Sequence, residues 1–175
     1  LRRNGQRYGG YIVHLGIVMM GVAIIGNGFY QSTTNVTLAR NDSVSLAGYT
    51  LIYTGLSQER ASNHVQFTTT MNLYDARGRM LGLVQAHRNV YDKTEDMITS
   101  EVGLYTRLSE DIYVVLNGWE GAGETATFTI HVNPMTVWLW IGGLVLVAGT
   151  LIAMWPHPAR REQVAHVAAG QVAAA

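Results

Sequence analysis

The stretch Tyr11 to Phe29, YIVHLGIVMMGVAIIGNGF, decides how the rest of the chain is read. It holds no full charge, and none occurs anywhere between Tyr8 and Tyr30. A bilayer core about 30 Å thick is crossed by about 20 mostly apolar residues in a helix. Val137 to Trp155, VWLWIGGLVLVAGTLIAMW, is a second such stretch, inside an uncharged run from Asn133 to Pro158. Only 14% of all residues are charged, against roughly 25% in soluble domains. The shortage lies in these two runs, so one chain serves two environments.

The flanks orient the spans. Arg2, Arg3 and Arg7 precede the first, and Arg160 and Arg161 follow the second, so by the positive-inside tendency both ends are cytoplasmic. Tyr8, Tyr11 and Tyr30, with Trp138, Trp140 and Trp155, stand near the span ends, where interfacial aromatics belong. A cleaved signal peptide would need a small-residue site of the A-x-A kind, which Gly26 to Phe29 does not supply. The expected organisation is a basic flank over 1–10, membrane helices over 11–29 and 135–155, an external domain over 30–134 and a disordered tail over 156–175. The fold class is therefore membrane α plus all-β.

Formal net charge is zero, which leaves no basic surplus for nucleic acid. The absence of Cys removes disulfides, thiolate metal sites and thiol catalysis together. The chain begins at Leu1, and it reads as a piece of a longer polypeptide.

Between the spans the period changes to two. Val65, Phe67, Thr69, Met71 and Leu73 alternate with polar residues, the pattern of a half-buried strand. Asp75-Ala76-Arg77-Gly78 reads as a turn and Met80 to Tyr91 as the returning strand. Further strands are expected over Val44–Tyr53, Thr99–Leu108, Ile112–Leu116 and Thr125–Val132, with Ala126, Phe128, Ile130 and Val132 on one face. About six strands predict an antiparallel β-sandwich or small barrel. Tyr91–Met97 and Gly118–Gly123 read as loops, the second with Trp119 as an exposed aromatic.

His14 is the residue that does not belong. It lies inside the first span, where an ionisable side chain usually faces a bundle interior, a cavity or a cofactor. Gly10, Gly21 and Gly28 share its helical stripe, so a neighbour can approach the backbone closely. The residues alone leave three roles open: a hydrogen-bonded histidine between helices, a metal or haem ligand, or a side chain snorkelling to the interface. His64, His87 and His131 are scattered over different strands without metal-site spacing. The carboxylates sit in expected loops, and neither a phosphate-binding glycine loop nor a nucleophile elbow is present. No self-contained enzyme is visible.

Three segments together carry a resemblance: RRNGQRYGGYIVHLG at the start, TSEVGLYTRLSEDIYVVLNGW, and VNPMTVWLWIGGLVLVAG. They resemble the C-terminal part of the CcmF family, the large subunits of bacterial cytochrome c haem lyases, with the NrfE branch related. The likeness runs from about Arg2 to Trp155. It implies a multi-pass protein of the bacterial inner membrane, with residues 30–134 in the periplasm, supporting haem attachment to apocytochrome c. It also implies a transmembrane b-type haem with His14 as one axial ligand to the iron. The second ligand, the periplasmic histidine pair and the tryptophan-rich segment belong to the upstream part of the same protein. Implied partners are that upstream part, the haem chaperone CcmE, CcmH/CcmI-type subunits, apocytochrome c and the surrounding membrane lipid. This piece alone would not perform the ligation. The competing expectation is a non-catalytic two-span protein whose external β domain binds a partner.

Overall fold

A computed structural model describes residues 5–92 and 98–155. The basic pairs Arg2-Arg3 and Arg160-Arg161, the tail and the centre of the acidic loop at 93–97 lie outside the described residues. The first apolar run forms helix α1 (Gly5–Tyr30) and the second forms α2 (Thr136–Met154). At ~1.5 Å per residue they measure roughly 39 and 28 Å, and both are long and apolar enough to cross a membrane.

Among the described residues nine strands lie between them: β1 (Ser32–Ala39), β2 (Ser43–Leu46), β3 (Tyr49–Arg60), β4 (His64–Tyr74), β5 (Met80–Tyr91), β6 (Ile98–Glu101), β7 (Gly103–Thr106), β8 (Glu110–Glu120) and β9 (Thr125–Pro134). They form two antiparallel sheets, β1-β9-β8-β7 and β2-β3-β4-β5-β6. The inner faces enclose one core. Leu51, Tyr53, Met71 and Leu73 from one sheet meet Ile112, Leu116, Phe128 and Ile130 from the other. Sequence alternation had predicted the inward faces of β4 and β9, and Met71, Leu73, Ala126, Phe128, Ile130 and Val132 are indeed buried.

The strand count exceeds the expectation for three local reasons. The stretch expected as one strand over Val44–Tyr53 is a hairpin, β2–β3, turning at Ala47 and Gly48 with φ of 51° and 82°. The stretch over Thr99–Leu108 is also two strands, and they belong to different sheets. The chain changes sheet at Val102, with β6 pairing with β5 and β7 with β8. Strand β1 has the weak pattern STTNVTLA, in which Val36 and Leu38 pack on the core. Finally, Trp119 is a half-buried member of β8 stacked on Phe67 at 4.3 Å, rather than an exposed loop residue.

The turn at Asp75 is as expected. Asp75 Oδ1 accepts the Arg77 and Arg79 backbone N–H groups at 2.9 Å each. Its carboxyl is held below the ordinary value, chiefly by the Arg79 backbone N–H.

Pairing of the first and last strands places the helices. Ser32 stands opposite Val132 in the β1–β9 ladder. The chain thus enters and leaves the sandwich side by side, and α1 and α2 run from the same end as an antiparallel pair.

Candidate functional site

α1 carries two stripes of small residues, and α2 covers only one. Gly5, Gly9, Gly16, Ala23 and Gly26 are buried. A Cβ added to Gly9 would meet the Ala153 backbone at 2.5 Å, and one on Gly26 would meet Met135 Sδ at 2.8 Å. On α2, Gly142 and Gly149 answer them, with added Cβ atoms 2.7 Å from Met20 Cγ and from the Val13 backbone nitrogen. Helices in lipid have no hydrophobic drive toward each other, so such backbone approach lets dispersion contacts hold the pair. The spacing of seven in Gly9–Gly16–Ala23 and Gly142–Gly149 keeps the small residues of both helices on the shared seam. The seven-residue spacing is legible in the sequence, but so is the glycine stripe of His14, and local pattern does not choose between them.

His14 lies on the other stripe. Its side chain is exposed, and among the described residues its one hydrogen bond is to Gly10 of its own helix, so no hydrogen bond joins it to α2. Gly10, Gly21 and Gly28 on the same face have nothing within 4 Å of an added Cβ. His14 Nδ1 is 2.7 Å from the Gly10 carbonyl oxygen. A carbonyl only accepts, so Nδ1 carries a hydrogen, and in the neutral ring Nε2 keeps its lone pair. The ring is therefore oriented by its own helix, with a free ligating nitrogen. Five residues separate His14 from Gly9, which is roughly 8 Å along the helix axis.

The other described histidines, His64, His87 and His131, are engaged by neighbouring side chains. His131 Nδ1 is 2.9 Å from Thr33 Oγ1, and His87 Nδ1 is 2.8 Å from Thr68 Oγ1. Among the described residues no group of three His, Asp or Glu side chains is placed to hold a metal ion. A cleft of about 250 Å³ opens at the sandwich end of the helix pair, lined by Asn27, Gln31, Thr136 and Leu139, well away from His14.

The junction between sandwich and helices holds a polar cluster. Tyr49 Oη donates to Glu110 Oε1, and burial, followed by that carboxylate, raises the Tyr49 hydroxyl above its ordinary value. Asp111 is 4% exposed. Its Oδ1 has no hydrogen-bond partner, and burial pushes its carboxyl above the usual range. Arg107 stands beside Tyr49, whose hydroxyl raises its guanidinium further.

Comparison with known proteins gives one answer at several levels. The family described as CcmF C-terminal beta-sandwich matches residues 29–134. The chain is 29% identical over 160 residues to the cytochrome c-type biogenesis protein NrfE of Haemophilus influenzae, covering 90% of this chain and 24% of that protein. It is 27% identical over 146 residues to the cytochrome c-type biogenesis protein CcmF of Pseudomonas fluorescens, covering 83% of this chain and 22% of the other. A solved structure, Cytochrome c Heme Lyase CcmF, shares the fold with a TM-score of 0.74 at 20% identity, over 87% of this chain and 25% of that one. The chain thus spans about a quarter of the length of the relatives it matches. Its two apolar helices and these relatives mark it as a membrane protein. With the matched segment coinciding with the whole sandwich, the chain belongs to the CcmF C-terminal beta-sandwich family.

Proposed function

We propose that this chain is the C-terminal segment of a cytochrome c haem lyase subunit of the bacterial inner membrane, and that His14 is an axial ligand of a transmembrane haem b. The observation that carries the reading is the free Nε2 of His14 on the helix face that α2 leaves open. The residues fit the group. The Gly10 carbonyl fixes the tautomer that leaves Nε2 free to ligate, an orienting contact of the kind that supports ligating histidines. Gly10 and Gly21 leave a flat macrocycle room against the backbone. When bound, haem supplies one-electron chemistry, suited to keeping delivered haem iron reduced. The chain's own residues hold and orient it, and the face of His14 is where the upstream part of the protein brings the second ligand.

In this reading the sandwich lies in the periplasm with residues 1–10 and 156–175 in the cytoplasm. The domain then offers a docking surface for apocytochrome c, CcmE and CcmH/CcmI-type subunits. The relatives named for cytochrome c biogenesis support this assignment.

The test uses the full-length protein. His14→Ala is expected to abolish most of the haem absorption band and to impair cytochrome c maturation, with added imidazole restoring part of the band. An unchanged spectrum with unchanged maturation overturns the assignment.

A further inference from the structure

The turn between β7 and β8 sits where the sandwich meets the apolar helices. The Leu108 carbonyl accepts the Trp138 indole Nε1–H at 2.9 Å, and the Ser109 carbonyl accepts the Met135 backbone N–H at 2.8 Å. Trp138 belongs to the first turn of α2, and helical side chains lean toward the N-terminus. The turn is therefore pinned level with the outer end of the span. At its tip Leu108 is 69% exposed. A leucine in a turn held at that level by these two hydrogen bonds stands where lipid rather than water can cover it.

Tyr49, at the start of β3, reaches Glu110, which pairs with Pro134 just before α2. Thr50 pairs with Tyr74, so the β4–β5 turn opens at the same end. That end carries Asp75, Glu110 and Asp111 and three arginines, Arg77, Arg79 and Arg107. Among the described residues only Arg79 of these three forms an ion pair, with Asp75. Around the opposite end lie Asp42, Glu59, Asp92, Glu120 and Glu124 together with Arg40 and Arg60. An exposed leucine with an exposed arginine beside it, level with a membrane span, matches the boundary between acyl chains and lipid phosphate.

We propose that the β7–β8 turn is a membrane anchor: Leu108 enters the headgroup–acyl boundary on the sandwich side of the bilayer, and Arg107 takes lipid phosphate. The anchor adds a third attachment point to the two helices and so fixes the tilt of the sandwich over the membrane. The inference rests on the two helices spanning a bilayer and is independent of haem binding.

The test is spin labelling of an otherwise cysteine-free full-length protein in phosphatidylethanolamine vesicles with or without phosphatidylglycerol. Labels are placed one at a time through Leu108→Cys, Ala122→Cys and Leu144→Cys. Leu144, exposed on α2, reports bilayer insertion, and Ala122 in the far turn reports water. The ratio of oxygen to water-soluble nickel accessibility is expected to be severalfold higher at 108 than at 122. With phosphatidylglycerol present, Arg107→Gln is expected to move the 108 label toward water, and without it to have a smaller effect. A 108 label as water-accessible as the 122 label overturns the anchor, and if 144 still reports lipid the spanning reading survives. A 108 label shielded from both reagents also overturns it, because protein rather than lipid then covers the turn.

Discussion

Gly16 and Gly142 face each other so closely that neither tolerates a side chain: a Cβ on Gly16 would lie 2.7 Å from the Gly142 carbonyl oxygen, and one on Gly142 2.9 Å from the Gly16 carbonyl oxygen. The reciprocal approach makes the two helices one unit and leaves the His14 face of α1 free. Overpacking of this kind costs roughly 1–3 kcal/mol. Gly16→Leu and Gly142→Leu are therefore expected to lower the thermal unfolding midpoint of the detergent-solubilised protein.

Gly21 separates pairing from binding. It lies seven residues from His14 with nothing within 4 Å of an added Cβ. Gly21→Leu is expected to leave the thermal midpoint nearly unchanged while weakening the haem absorption band by crowding the face of His14. Equal loss of both signals would show that this face also holds the fold together.

Inside the sandwich, Tyr53 Oη donates to the Gly123 carbonyl at 2.9 Å, joining β3 to the β8–β9 turn in a buried site. Tyr53→Phe leaves that carbonyl without its partner and is expected to cost about 1–3 kcal/mol. Gly123→Ala should be worse, because φ is 84° and the new methyl would sit 2.4 Å from Leu56 Cβ. Chemical denaturation of the full-length protein, followed by tryptophan fluorescence near Trp119, compares the two.

Asp111 predicts a pH dependence. Burial raises its carboxyl above the ordinary 3.8 in the folded protein, so the folded state holds the proton more tightly than the unfolded chain. Its contribution is fully present below about pH 4 and is lost as pH rises through the raised folded value. Asp111→Asn is expected to remove that decline, so that the variant gains on the wild type between pH 4 and 7. Parallel melting curves across this range would contradict it.

Much of this architecture was legible in the sequence, and the illegible parts share a cause. The uncharged runs marked both helices, and alternation marked the inward residues of β4 and β9, because hydrophobic pattern follows burial residue by residue. The turn at Asp75 was legible because its carboxylate caps a local backbone loop. Strand β1 was not, since much of its support comes from across the sheet, where Thr33, Thr37 and Asn35 bond His131, Thr127 and Thr129. The sheet change at Val102 was hidden as well. An uninterrupted strand-like pattern does not say which ladder each half joins.

By itself, the sequence determined that two apolar helices flank a β domain and that His14 is an ionisable residue among membrane-spanning ones. Only the tertiary structure decided which face of α1 is taken. Two small-residue stripes run along that helix, and local pattern makes either a fit for a neighbour. The β1–β9 pairing brings α2 alongside, and the seven-residue spacing of Gly142 and Gly149 matches the stripe of Gly9, Gly16 and Ala23. Close packing of backbones in the absence of water selects that stripe, and His14 with its free Nε2 is left on the open one.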